Sequence, residues 1–208
     1  MKKNKNIMKN KIPQLLIIFR LLLGPIMIFL TCKFGNSIRL ELVILLFLGI
    51  LSDIFDGIIA RKLSVSSEKL RRMDSQTDLI FWLCVAWCSW LLNPEIIIEN
   101  KYSIIIIFTM EALTYVVSIL KFGKETCTHA ILSKLWGITL LIAFTGLIGF
   151  GYAGFTFATA IIFGIIGHID VFLIIFLLPK WTHDVPSCYH ALLIRKGIPF
   201  QRNKLFNG

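Results

Sequence analysis

Two short runs hold the residues with the clearest chemical potential. The first reads Asp53-Ile54-Phe55-Asp56-Gly57-Ile58-Ile59-Ala60-Arg61 and the second Asp74-Ser75-Gln76-Thr77-Asp78. On a helix, positions 53, 56, 57, 60 and 61 fall at i, i+3, i+4, i+7 and i+8 and share one face, while Asp74 and Asp78, at i and i+4, share a face of the next helix. A short connector between antiparallel helices sets the two carboxylate pairs opposite each other, as in bundle proteins that build metal sites between helices. Oxygen ligands at this density suit hard divalent cations such as magnesium or manganese. Two such ions, about 3.5 to 4 Å apart, would polarise a phosphoryl group from both sides.

The elements that must position these groups are membrane helices. The chain of 208 residues is 56% hydrophobic and 16% charged, with a mean hydropathy of +0.78, so its main solvent is lipid rather than water. A crossing needs roughly 20 apolar residues, and runs of that length fall at 13–33, 39–62, 74–93, 101–121, 131–150 and 154–178. The expected fold is therefore all-α: a polytopic six-helix bundle over 13–178, with a basic N-terminal segment at 1–12 and a basic interfacial tail at 179–208. Little chain is left for a soluble domain. The basic start leads into an apolar run too long for a signal-peptide core, which reads as a retained first span. Gly24 and Pro25 fall inside that span, and glycines recur in the fifth and sixth, where they permit kinks or close helix approach.

Charge sets the orientation. Five Lys or Arg precede the first span, five lie from Arg61 to Arg72, Lys121, Lys124 and Lys134 follow the fourth, and five follow the sixth. Lys33, Arg39 and Lys101 fall on the other side, so both termini and the aspartate runs are expected at the cytoplasmic face of a plasma or inner membrane. The net charge of +10 sits in short segments between apolar runs, where anionic headgroups, not nucleic acid, are the partner. Cys32, Cys84 and Cys88 lie in or beside apolar runs and read as small hydrophobes rather than a disulfide framework. Four ionised aspartates at membrane depth would cost on the order of 10 kcal/mol if nothing neutralised them, which again points to bound cations.

The pattern D-x-x-D-G-x-x-A-R, eight residues, then G-x-x-x-D-x-x-x-D is similar to the signature of the CDP-alcohol phosphatidyltransferases. This chain carries seven of its eight fixed residues: Asp53, Asp56, Gly57, Ala60, Arg61, Asp74 and Asp78, with Leu70 where the family has its second glycine. The resemblance implies a six-helix membrane core, a homodimer and a cytoplasmic active site. It implies Asp53, Asp56 and Asp74 as metal ligands, with Asp78 near the metals as general base. Gly57 and Ala60 would leave room for the cytidine diphosphate, and Arg61 would clamp a phosphate. The implied reaction is attack by an alcohol hydroxyl on the diacylglycerol-linked phosphorus of CDP-diacylglycerol, with CMP leaving.

Other residues bear on the acceptor. Ile12-Pro13 followed by Arg20 resembles the first helix of the family's phosphatidylglycerophosphate synthases, with Gln14 where a small polar residue is more usual. Arg20, about two turns inside the membrane, either partners the aspartates or a substrate phosphate, or snorkels to the surface. Lys134, after Ser133, and Lys121 are further candidates for phosphate contact. Members that use glycerol 3-phosphate tend to place basic residues on the fourth helix, where this chain has Met110 and Glu111. Glycerol 3-phosphate remains the first expectation for the acceptor, with inositol phosphate, serine or a second phospholipid open. Glu111, His168 and Asp170 are polar groups in apolar spans and are expected to face a cavity or one another. A prenyltransferase would have more spans and lacks the Gly-x-x-Ala-Arg continuation, and a transporter would spread its charges along a pathway rather than confine them to one leaflet.

Overall fold

In a computed structural model, the residues described are 2–63, 65, 67–128 and 130–199, with the side chains of 2–10 outside the description. The basic residues expected at 2–10, and Arg202 and Lys204 of the tail, therefore lie outside the described side chains. The regular elements among the described residues are all helices: α1 (Lys2–Phe34), α2 (Arg39–Lys62), α3 (Glu68–Leu92), a short α4 (Pro94–Glu99), α5 (Lys101–Phe122), α6 (Ile131–Phe144), α7 (Phe155–Leu177) and α8 (Cys188–Arg195). A 3-10 turn at Gly35–Ile38 joins α1 to α2, and a π-helical turn at Thr145–Gly149 follows α6. Four segments among the described residues are long and apolar enough to cross a membrane: Lys11–Lys62, Lys101–Phe122, Ile131–Gly149 and Phe155–Leu177. The first is two helices in a hairpin, broken where Gly35 adopts a φ of 55°, the left-handed conformation that closes helices at least strain in glycine. α3 is not among the four, because Arg71, Arg72, Asp74 and Asp78 load its first half with charge.

The chain forms two compact units. In the first, Met1–Ile97 with Phe144–Tyr152, α1 packs against both α2 and α3. Ile17, Leu23, Met27 and Thr31 are buried along one stripe of α1, and Arg20 lies in that same stripe. Large apolar side chains such as Leu15, Leu22 and Phe29 point outward, the pattern expected for a bundle solvated by lipid. Two glycines permit the close packing. A Cβ at Gly24 would lie 2.9 Å from Cys84 Sγ, and one at Gly49 would overlap the ring of Phe81, whose Cε2 would be 2.7 Å away. Gly49→Val is accordingly expected to cost about 1–3 kcal/mol by overpacking, seen as a lower unfolding temperature in detergent. Gly137, where an added Cβ meets nothing within 4 Å, is the matched site that should tolerate Ala.

The end of this unit away from the aspartates is tied by one side chain. Arg39 donates to Asn36 Oδ1 (2.8 Å), Asn93 Oδ1 (2.9 Å) and the Ile148 carbonyl (2.7 Å), while Asn93 Nδ2 donates to the Leu147 carbonyl at 2.9 Å. These bonds add side-chain donors to the Leu147 and Ile148 carbonyls of the π-helical turn, at a helix end where intrahelical partners run out.

In the second unit, Ile98–Ala143 with Ala153–Gly208, α7 packs on α5 and α8. The chain after α7 folds back on the connector that precedes α6: Trp181 Nε1 donates to the Glu125 carbonyl (2.8 Å), Val185 N to Thr128 (2.8 Å), and Ile131 N to Pro186 (2.9 Å). Val185 and Ala191 are fully buried against Ile174 and Leu178, so the described part of the tail is docked on its own unit.

Candidate active site

All four motif aspartates and Arg20 converge in the first unit. The Arg20 side chain is fully buried, and its two terminal nitrogens divide the carboxylates between them. Nη1 pairs with Asp53 and, at 3.1 Å, with Asp78; Nη2 pairs with Asp74 at 2.5 Å and Asp56 at 3.4 Å. Each nitrogen therefore spans one carboxylate from α2 and one from α3, which is the opposition the two sequence runs predict. The four are not equivalent. Asp56 and Asp74 keep 4% and 9% of their side chains exposed, whereas Asp53 and Asp78 keep 37% and 33% and form the accessible edge.

Local sequence explains the register. Ser67 caps α3 by accepting from Leu70 N at 3.2 Å, which starts the helix so that Asp74 and Asp78 fall two and three turns in. Leu70 thus sits in an ordinary helical turn, where the backbone needs no glycine. On α2, the atoms nearest a Cβ at Gly57 would be those of the Arg61 guanidinium, at 3.4 Å and beyond, an ordinary contact distance; Ala60 is buried. The sequence reading counted Arg71 only as connector charge, yet it is buried. Its signal was available: 71, 74 and 78 follow helical spacing.

The donor set fits a divalent cation. Asp53, Asp56 and Asp74 each offer a carboxylate oxygen, and these oxygens lie within 4.8 Å of one another. Asp56 Oδ2 is buried and completes no hydrogen bond, Arg20 Nη2 facing it only as an ion pair at 3.4 Å, so it keeps the lone pairs with which a carboxylate ligates a hard cation.

The model of the CDP-alcohol phosphatidyltransferase family matches residues 10–178, which takes in both aspartate runs and the segments from α1 through α7. The chain belongs to this family. No curated protein and no solved structure matches it. A CDP-alcohol phosphatidyltransferase is a membrane transferase of phospholipid biosynthesis, moving a substituted phosphate group from a CDP-alcohol to an alcohol acceptor, generally with metal ions.

The other residues singled out by sequence lie in the second unit. Lys121 Nζ donates to the Ile175 and Phe176 carbonyls, at 2.7 and 2.9 Å, and so closes the C-terminal end of α7. Lys134 is in the first turn of α6. Glu111 and His168 find each other, Oε2 to Nε2 at 2.8 Å, while His168 Nδ1 donates to the Gly164 carbonyl at 2.6 Å. Asp170 Oδ1 accepts from Cys188 N at 2.9 Å and caps α8, favourable at a helix N-terminus. That carboxylate, with burial, pushes the Cys188 thiol above its ordinary range. The cysteines form no disulfide among the described residues.

Proposed function

We propose that this chain transfers a phosphatidyl group from CDP-diacylglycerol to an alcohol, in the manner of a phosphatidylglycerophosphate synthase, with glycerol 3-phosphate as acceptor and CMP as the released product. The observation that carries the reading is the convergence of Asp53, Asp56 and Asp74, oxygens within 4.8 Å, in a chain of this family. These three, with Asp78 at the edge, would hold two magnesium or manganese ions. When bound, the ions supply positive charge to the phosphoryl oxygens and to the leaving CMP.

The chain's own residues do the rest. Arg61 grips a phosphate by charge-assisted hydrogen bonds, and Gly57 presents no side chain to the nucleotide, whereas Ala60 is covered within its own unit and keeps that turn of α2 slim. Asp78, partly exposed, takes the proton of the acceptor hydroxyl as the new oxygen–phosphorus bond forms and the bond to CMP breaks. Six crossings follow if Lys11–Lys62 counts as two and α3 as one, its polar half turned inward. Both termini and the aspartates then lie on the cytoplasmic side of a plasma or inner membrane, with the membrane domain at 13–178, the tail at 179–208 and a homodimer as the assembly.

A second acceptor class has its own support. The Lys121 ammonium is taken by two α7 carbonyls and Glu111 by His168, so α5 offers no ready cation for an acceptor phosphate, which favours serine or another uncharged hydroxyl. Of the other candidates for phosphate contact, Arg20 is engaged by the four aspartates and Lys134 lies in the first turn of α6. The discriminating assay gives purified protein CDP-diacylglycerol, manganese or magnesium, and a panel of acceptors. CMP release is expected with one acceptor and is abolished by EDTA; no release with any acceptor would sink the enzyme reading.

A further inference from the structure

We propose that Arg20 is a built-in competitor of the divalent cation: its guanidinium bridges the two carboxylate pairs, and metal enters by displacing it from them. The proposal rests on the aspartates being the cation site, and goes beyond it by giving metal binding a fixed opponent within the chain.

Three observations support it. Arg20 lies in the buried stripe of α1 with Ile17, Leu23 and Met27, a position where any side chain that merely packed would be apolar. Instead its terminal nitrogens contact all four carboxylates, each nitrogen joining one from α2 to one from α3, which is the cross-helix bridge a bound cation would make. A planar fork cannot serve eight carboxylate oxygens, and the fit is incomplete on both sides. Arg20 Nε and Asp56 Oδ2 are both buried without a hydrogen bond, Oδ2 meeting Nη2 only as an ion pair at 3.4 Å. The bridge is thus held by charge more than by completed hydrogen bonding, and charge is what a divalent cation supplies in greater amount. The guanidinium and the cation repel, so the carboxylates cannot fully serve both. Released from them, Arg20 is left beside the site with its charge uncompensated and its donors available to an incoming phosphate.

This predicts effects of opposite sign, which a purely structural arginine would not produce. The full-length protein in detergent or nanodiscs is titrated with Mn2+, free ion being read by electron paramagnetic resonance, and its unfolding temperature is recorded in EDTA and in saturating Mn2+. Arg20→Met is expected to lower the unfolding temperature in EDTA and yet to tighten Mn2+ binding by about tenfold or more, widening the stabilisation by metal. Arg20→Lys, a single point charge that bridges fewer carboxylates, is expected to tighten binding by a smaller factor and keeps the test available if the Met variant does not fold without metal. Unchanged or weaker Mn2+ affinity in the folded variants overturns the proposal. Asp56→Asn separates the two readings: if it binds Mn2+ as the wild type does, or the wild type binds none, the aspartate cation site itself is wrong.

Discussion

Asp78→Asn is expected to lower the rate of CMP release by about 10²- to 10⁴-fold, the range over which a positioned general base contributes, while binding of cytidine nucleotide changes by no more than a few-fold. The substitution is nearly isosteric, and the amide oxygen can still accept from Arg20, which lies 3.1 Å from Asp78 Oδ1. What it removes is a group able to take a proton at the accessible edge of the cluster. The buried carboxylates of Asp56 and Asp74 stay in place, so the cations proposed to face the nucleotide's phosphates should be retained. Turnover is measured by CMP release at saturating substrates and binding by calorimetry on the same preparation. A variant with full turnover would remove Asp78 from the chemistry. One that lost nucleotide binding in proportion would make it a metal ligand rather than a base.

The largest effect on stability is expected at the opposite end of the same unit. Arg39→Met should destabilise the protein by about 2–4 kcal/mol, since it withdraws a charged donor from several acceptors at once and leaves the polar groups of a buried helix end unpaired. Asn93, itself buried, loses its partner at 2.9 Å, and Ile148 loses its donor at 2.7 Å. Thermal unfolding in detergent reads the effect. Combining Arg39→Met with Asn93→Leu should cost less than the sum of the two, because the second change removes an acceptor the first has orphaned. Additive losses would show that the Arg39 to Asn93 contact contributes little.

These two sites were unequally visible in the sequence. The aspartate runs were legible because helical spacing alone puts 53 with 56 and 74 with 78, and their opposition follows from the short connector. The helices from α1 to α7 lie close to the apolar runs because the cost of backbone polar groups in lipid enforces helicity over the whole crossing. Arg20 was visible as a charge in a span, but its destination was not: periodicity places a side chain on a face without naming what the face meets. Arg39 read as a charge that orients the chain, since apart from Asn36 its partners lie some fifty and more than a hundred residues away. The π-helical turn and the docking of 181–195 were illegible for a related reason, as both depend on hydrogen bonds between distant segments. Hydropathy also treats α3 as less membrane-like than its neighbours, because the residues that serve the site are the ones that lower its score.

The socket at Gly49 lies one turn before Asp53 on α2, and the ring it receives, Phe81, lies one turn after Asp78 on α3. The seating of the Phe81 ring on Gly49 therefore helps set the separation of α2 and α3 beside the opposing acids. For the cation site proposed above, this makes an apolar layer a place where substitution is expected to retune ion preference while every oxygen donor is left untouched.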